Sequence, residues 1–292
     1  MSDFAQTLLG GLAVGGVYAL VSLGVSLVYS MSRVINLAQG AFVVLAALVA
    51  VSINSAIKLN PVVLLLVVAV IFAVVFAVVD VAVIRPGAKR TQSQRMLLIT
   101  IGLLQAVGGV LLIVWGNLPY TMQGFSDTKS ITLAGVHVDP QYFWIIGVLV
   151  VSLAALWLLL NRTGFGLTMR ATAEDARAAS LQGVNVDGVR LVTFTIAGAM
   201  AGLAGTSIVP LTFMQYDTVV PYAVNGFIAA VIGGLGSSSG AVLGGLLLGL
   251  LNAVFSRYLS ADVAQVLAIA VLLVVLFVRP SGIRGKAVEG RL

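Results

Sequence analysis

The sequence has no cysteine, one histidine and seven prolines, and only 9% of its 292 residues are charged. Without thiols there is no disulfide framework and no thiolate metal site, and one histidine does not make a metal cluster. No GxxxxGK run followed by Ser or Thr occurs, so the chain lacks the loop that cradles a nucleoside triphosphate. Its apolar runs also lack a series of Asp, Glu or His of the kind that relays protons. With 60% hydrophobic residues and a mean hydropathy of +1.12, too little polar surface remains to cover a soluble globule. The chain is expected to be integral to a membrane, with no catalytic residue, metal or cofactor of its own and no nucleic acid partner.

A hydrocarbon core of about 30 Å needs roughly 20 mostly apolar residues per helical span. Such runs lie at about 5–29, 34–56, 61–84, 96–115, 141–160, 190–210 and 262–279. Two shorter ones, 222–236 and 240–256, fall below that length and leave open either two short crossings or a re-entrant hairpin. The first run carries Asp3 and no basic leader, so it reads as a retained span. Open sheet edges are not tolerated in lipid. The expected fold is therefore all-α: one polytopic transmembrane domain over 1–292, with about eight to nine membrane segments, some short or broken.

Basic residues collect on the cytoplasmic side of a membrane. Arg33; Arg85, Lys89, Arg90 and Arg95; Arg162, Arg170, Arg177 and Arg190; and Arg279, Arg284, Lys286 and Arg291 fall in alternate connections. Only Lys58, Lys129 and Arg257 fall opposite. The bias predicts an outside amino terminus and a cytoplasmic carboxyl terminus.

The same bias puts RATAEDARAASLQGVNVDGVR, Arg170 to Arg190, in the cytoplasm. Thr172 followed by Asp175 at N3 reads as a helix start, and Gly183 as a left-handed stop, with an alanine-rich helix of about ten residues between them. Arg170, Glu174 and Arg177 have helical-neighbour spacing. A helix this short is marginal alone. It is either a solvated loop helix or a docking helix, whose small side chains at Ala173, Ala176 and Ala179 let a partner approach closely.

Within lipid, helices associate through small residues. Gly11 and Gly15, Gly198 and Gly202, Gly236, Gly240 and Gly244, and Gly245 and Gly249 are each spaced by four. The run VIGGLGSSSGAVLGGLLLG concentrates glycine and serine between two short apolar segments, as expected beside a polar path, and so singles out Gly233, Gly234 and Gly236. Amides in apolar runs must pair with each other or face the protein interior or water. Asn36 and Gln39 in VINLAQG, together with Gln105, Asn225 and Asn252, are such amides; interhelical bonding is the plain reading for any one. Asn36, Gln39, Gln105 and Asn225 join the glycines as path candidates. Asp80 reads as a local, snorkelling neighbour of Arg85, and His137 as a solvated loop residue.

In order, YALVSLGVSLVYSMSRVINLAQG, VIRPGAKR, GFGLTMRATAEDARAASLQGVNVDGVRLVTFTIAGAMAGLAG, AAVIGGLGSSSGAVLGGLLLG and VRPSGIRG span essentially the whole chain. Together they resemble the inner-membrane permeases of branched-chain amino acid ABC importers. The resemblance implies a bacterial inner-membrane subunit that pairs with a homologous permease. It also implies an external substrate-binding protein and two cytoplasmic ATPases, which bind the ATP. It makes about 163–189 the coupling loop, with Glu174, Asp175, Ala178, Ala179 and Gly183 matching the ATPase-contacting pattern and Arg170 and Arg177 beside them. Where the family often has His in Asn-x-Ala-His-Gly, this chain has Gln39; related permeases move urea, short amides or other carboxylates.

Overall fold

A computed structural model describes residues 2–90, 93–126, 131–133 and 136–285. Asp127, Lys129, Lys286 and Arg291 lie outside them, and the side chains of Lys89, Arg90, Arg95 and His137 are likewise not among those described.

The chain is an all-α bundle. Helix α1 is Ser2–Ser32, α2 Ala38–Ala56 and α3 Pro61–Val79. A π-helical turn, Asp80–Ile84, joins α3 to α4, Arg85–Arg90, and α5 is Ser93–Trp115. A small hairpin, β1 Ile131–Leu133 and β2 Val136–Val138, precedes α6, Pro140–Arg162. Then follow α7 Gly164–Glu174, α8 Ala176–Leu181, α9 Val186–Ile208, α10 Val219–Gly233, α11 Ser238–Tyr258 and α12 Ala261–Val278. The hairpin is the one addition to the all-α expectation among the described residues.

Several boundaries are set by side chains that take over the unpaired N–H groups of a first turn. Asn60 accepts from Val62 N ahead of Pro61, and Asp139 accepts from Gln141 N ahead of Pro140. Proline lacks the donor that a first turn leaves unused, so both helices start where the sequence changes from loop to apolar run.

Among the described residues, seven helical stretches are long and apolar enough to cross a membrane: Phe4–Ser32, Ala38–Ala56, Pro61–Gly87, Met96–Trp115, Pro140–Arg162, Val186–Ile208 and Ser238–Tyr258. This corrects the sequence reading of the last third. The run expected at 240–256 to be too short becomes the 21-residue α11, because Ser237 caps it by accepting from Gly240 N and the polar serines extend the helix. The run expected at 262–279 is α12, Ala261–Val278, 18 residues long, as the sequence indicated. Helix α10 has 15 residues, about 22 Å, too short to cross by itself.

Helices α1, α2 and α9 form the interior, and α5 and α6 the periphery. Backbone contact makes this density possible. A β-carbon on Gly249 would lie 2.2 Å from Gly15 Cα, so α1 and α11 touch main chain to main chain, with Gly11 and Gly245 in the same seam. Gly198 likewise faces the carbonyl of Phe72 on α3, at 2.2 Å from an added β-carbon, and Gly202 faces Ala69.

Candidate functional site

Two regions hold most of the residues singled out from the sequence, and the five residues between α1 and α2 run from one to the other. The first is the loop between α6 and α9. Thr163 accepts from Gly166 N and starts α7, which ends at Glu174. Asp175 is extended (φ −148°, ψ 105°), and its Oδ1 accepts from Arg177 N at 2.8 Å and Ala178 N at 3.0 Å, opening α8.

The expected cap therefore moves three residues. Thr172 is buried inside α7 with its hydroxyl donating to Thr168 O, and Asp175, whose carboxylate holds two N–H groups, is the start. The helix expected over about ten residues is two pieces, and the extended residue 175 breaks the helical spacing of Glu174 and Arg177. Arg170 donates instead to Asn161 Oδ1 at 3.4 Å. Gly183 does end the helix, at φ +84°, and Val184 N closes back on Ala179 O at 3.1 Å. Ala179 is buried against the bundle, whereas Arg177, Ala178, Ser180 and Leu181 face outward. Leu181 is 89% exposed, an apolar knob that the sequence reading missed.

The second region is where α2 begins. Gln39 Nε2 donates to Ala197 O at 2.9 Å, and Ala197 is midway along α9, so α2 starts at half depth. Asn36 Oδ1 accepts from Ala38 N at 3.2 Å, and both amides are buried. A β-carbon on Gly40 would lie 2.2 Å from Ala223 N, so the early turns of α2 and α10 abut. Asn225, two residues on, donates to the Tyr18 hydroxyl at 3.1 Å. Gln39 Oε1 and Asn225 Oδ1 are buried with no hydrogen-bond partner. Two helix beginnings and two unpaired amide oxygens thus share the middle of the bundle.

The remaining path candidates lie elsewhere. Gln105 is exposed on the outer side of α5, between Gly102 and Gly109, where an added β-carbon would meet nothing within 4 Å. Gly233, Gly234 and Gly236 form the α10–α11 turn, with positive φ at Gly234 and Gly236. Ile283 N and Arg284 N donate to Ile232 O and Gly233 O, so this turn packs on the chain's last described segment at the arginine-rich end.

That end also carries an ion-pair cluster that sequence reading placed wrongly. Asp80 is fully buried and its partner is Arg190, 3.1 Å away on α9, with Arg85 turned to Asp187. At the opposite end Gln141 is buried, donating to Ser207 O and accepting from Phe125 N. Neither partner set is near in sequence; the one available signal for Gln141 was its position directly after a capped Asp-Pro.

A helical membrane bundle with a polar, capped loop at its basic end and short helices starting inside it is the architecture of a multi-pass permease. The chain matches the profile of the branched-chain amino acid transport system / permease component family over residues 7–276, and it belongs to that family. It is 31% identical to the high-affinity branched-chain amino acid transport system permease protein LivH of Escherichia coli strain K12, over 97% of this chain and 96% of that one. It is 28% identical to the corresponding protein BraD of Pseudomonas aeruginosa, over 97% and 96%. The ribose import permease protein RbsC of Haemophilus influenzae is 26% identical over 89% of this chain and 80% of its own. Among solved structures, PsaBC from Streptococcus pneumoniae in complex with Fab has the same fold, with a TM-score of 0.51 at 14% identity, covering 95% of this chain and 92% of that one.

Proposed function

We propose that the chain is the membrane-spanning permease subunit of an ATP-binding cassette importer for branched-chain or related amino acids. It works with a homologous second permease, an external substrate-binding protein and two cytoplasmic ATPases, which bind the ATP. Family membership supports the class, and the observation that carries the coupling role is α8. Asp175 and Gly183 cap it at both ends, Ala179 anchors it, and it turns Arg177, Ala178 and Leu181 outward with no intramolecular partner for the leucine. Arg170, Glu174, Asp175, Arg177, Ala178, Ala179 and Gly183 form or flank this surface. Within 163–189 it is the part built to meet another protein, on the cytoplasmic side, with the amino terminus outside.

The transported molecule passes the abutting starts of α2 and α10. Helix N-termini favour a carboxylate, and the unpaired oxygens of Gln39 and Asn225 accept from an ammonium group, which together suit an amino acid zwitterion. Asn36 and Gln39 are buried, so this path is shut in the present conformation. Gln105 faces outward toward the side where a second permease completes the path, and Gly233, Gly234 and Gly236 form the turn that closes its inner end. The amide at Gln39, where the family often has His, keeps a permease for urea or short amides as the second reading.

Purification of the tagged chain from membranes tests the assignment. The two ATPases come down with it, and Leu181→Asp releases them while the chain stays in the membrane. Capture of the parent chain without any ATPase would defeat the proposal. Native mass spectrometry of the cognate binding protein against leucine, isoleucine, valine, urea and acetamide separates the two substrate readings.

A further inference from the structure

We propose that Arg33 is the positioning residue that ties the coupling loop to the start of α2, so that displacement of the loop is delivered to Asn36 and Gln39. The inference rests on the reading of 163–189 as the coupling loop.

Arg33 ends α1, its N–H donating to Tyr29 O at 2.8 Å, and its φ is +53°. Among the described residues it is the one non-glycine with positive φ. Glycine would take this conformation without steric cost, whereas a side chain is strained there. The backbone alone gives no reason for arginine, but its side chain does. Nη2 donates to Ala173 O at 3.0 Å, in the last turn of α7. Carbonyls there have lost their intrahelical donors, and the negative end of the helix favours a cation. The contact joins two segments 140 residues apart, directly ahead of the residue that opens α8.

From Arg33 the chain reaches α2 through a short strap held at almost every step. Val34 N donates to Ser32 Oγ at 3.2 Å, Thr100 Oγ1 donates to Ile35 O at 3.3 Å, and Asn36 caps Ala38. Gln39 follows, bound to Ala197 O and pressed on Gly24, where a β-carbon would lie 2.2 Å from its Nε2. A strap with few free torsions passes a pull at one end to the other. It also has room to move. A cavity of about 170 Å³ lies against it, lined by Met31, Val34, Ile84, Met96, Thr172 and Arg190. Close-packed interiors resist such shifts, so a void on one side of the strap sets a direction of travel.

The test uses the full assembly in proteoliposomes, with leucine and its binding protein outside and ATP inside. Arg33→Gly keeps the left-handed backbone without strain and removes only the side chain. Leucine imported per ATP hydrolysed is expected to fall about fourfold, the loss of one solvent-exposed charged contact, with the ATPases still bound. Arg33→Lys, which retains a cationic donor, is expected to keep most of the ratio. A ratio within about twofold of the parent in Arg33→Gly overturns the proposal, and so does loss of assembly, which would make Arg33 merely structural.

The absence of cysteine allows a second arm, in which Arg33→Cys and Ala173→Cys are joined by a short bis-maleimide. Uptake restored on bridging supports the link, and uptake unchanged by bridging refutes it. The coupling-loop reading fails separately, when Leu181→Asp leaves the ATPases bound and coupled.

Discussion

The guanidinium of Arg190 on α9 lies 3.1 Å from the carboxylate of Asp80, which has no exposed surface. Arg85, five residues beyond Asp80, donates to the carbonyl of Asp187 at 3.2 Å. Two acids and two bases therefore alternate between α3–α4 and α9 at the basic end of the bundle. The π-helical turn Asp80–Ile84 is where α3 makes the adjustment.

Removing Asp80 leaves Arg190 with only the more exposed carboxylate of Asp187, 3.7 Å away, to balance it. Asp80→Ala is expected to destabilise the chain by about 3–5 kcal/mol. Asp80→Leu combined with Arg190→Met is expected to regain most of it, because packing replaces two desolvated charges. Thermal unfolding of the purified assembly in detergent measures both. Equal melting temperatures for the parent and Asp80→Ala would show that the pair is not buried as described.

The start of α8 gives a second prediction. Asp175 holds two N–H groups and Thr172 holds none, so Asp175→Ala should weaken α8 by about 1 kcal/mol while Thr172→Val leaves it intact. Gly183→Val forces a β-branched side chain into φ +84° and should act in the same direction as Asp175→Ala. Protease cleavage within 163–189 and ATPase retention are the readouts. Greater sensitivity in Thr172→Val than in Asp175→Ala would return the cap to Thr172.

The glycine seams predict opposite outcomes for similar changes. Gly249→Val places carbons inside the Gly15 backbone, and relief requires α1 and α11 to separate, at a cost above the about 1–3 kcal/mol of ordinary overpacking. Gly108→Ala meets nothing within 4 Å and gains helix propensity of about 1 kcal/mol. Expression level and melting temperature should fall for the first and hold or rise for the second. A Gly249→Val chain that accumulates and melts like the parent would contradict the seam.

These contrasts show what the sequence could and could not convey. Apolar run length revealed the helices, because each span must satisfy its own backbone in lipid, and Gly183 was legible because few residues end a helix as glycine does. Partners far apart in sequence were not legible. Asp80 was matched to the nearby Arg85, and its real partner is 110 residues away on another helix. Gln39 and Gln105 look alike in sequence, each an amide in an apolar run, yet one is sealed between α1 and α9 and the other faces outward. In lipid a helix has no polar face to mark its buried side, so the tertiary contact alone separates them.

Orientation can be tested with single thiols, because the chain has no cysteine to interfere. Arg33, Arg85, Arg170, Arg177, Arg190 and Arg284 gather at one end of the bundle, linked through Arg33 to Ala173, Arg85 to Asp187 and the 281–285 segment to the α10–α11 turn. Lys58 lies in the opposite connection, as does Leu259, which follows Arg257 where its guanidinium reaches Thr7. Retention of basic residues on the cytoplasmic side then predicts that α8 lies inside the cell. In intact cells an impermeant maleimide should label Lys58→Cys and Leu259→Cys and leave Ala178→Cys unmodified until the membrane is opened. Labelling of Ala178→Cys from outside would put α8 beyond the reach of any cytoplasmic ATPase, and the coupling assignment would fall with the topology.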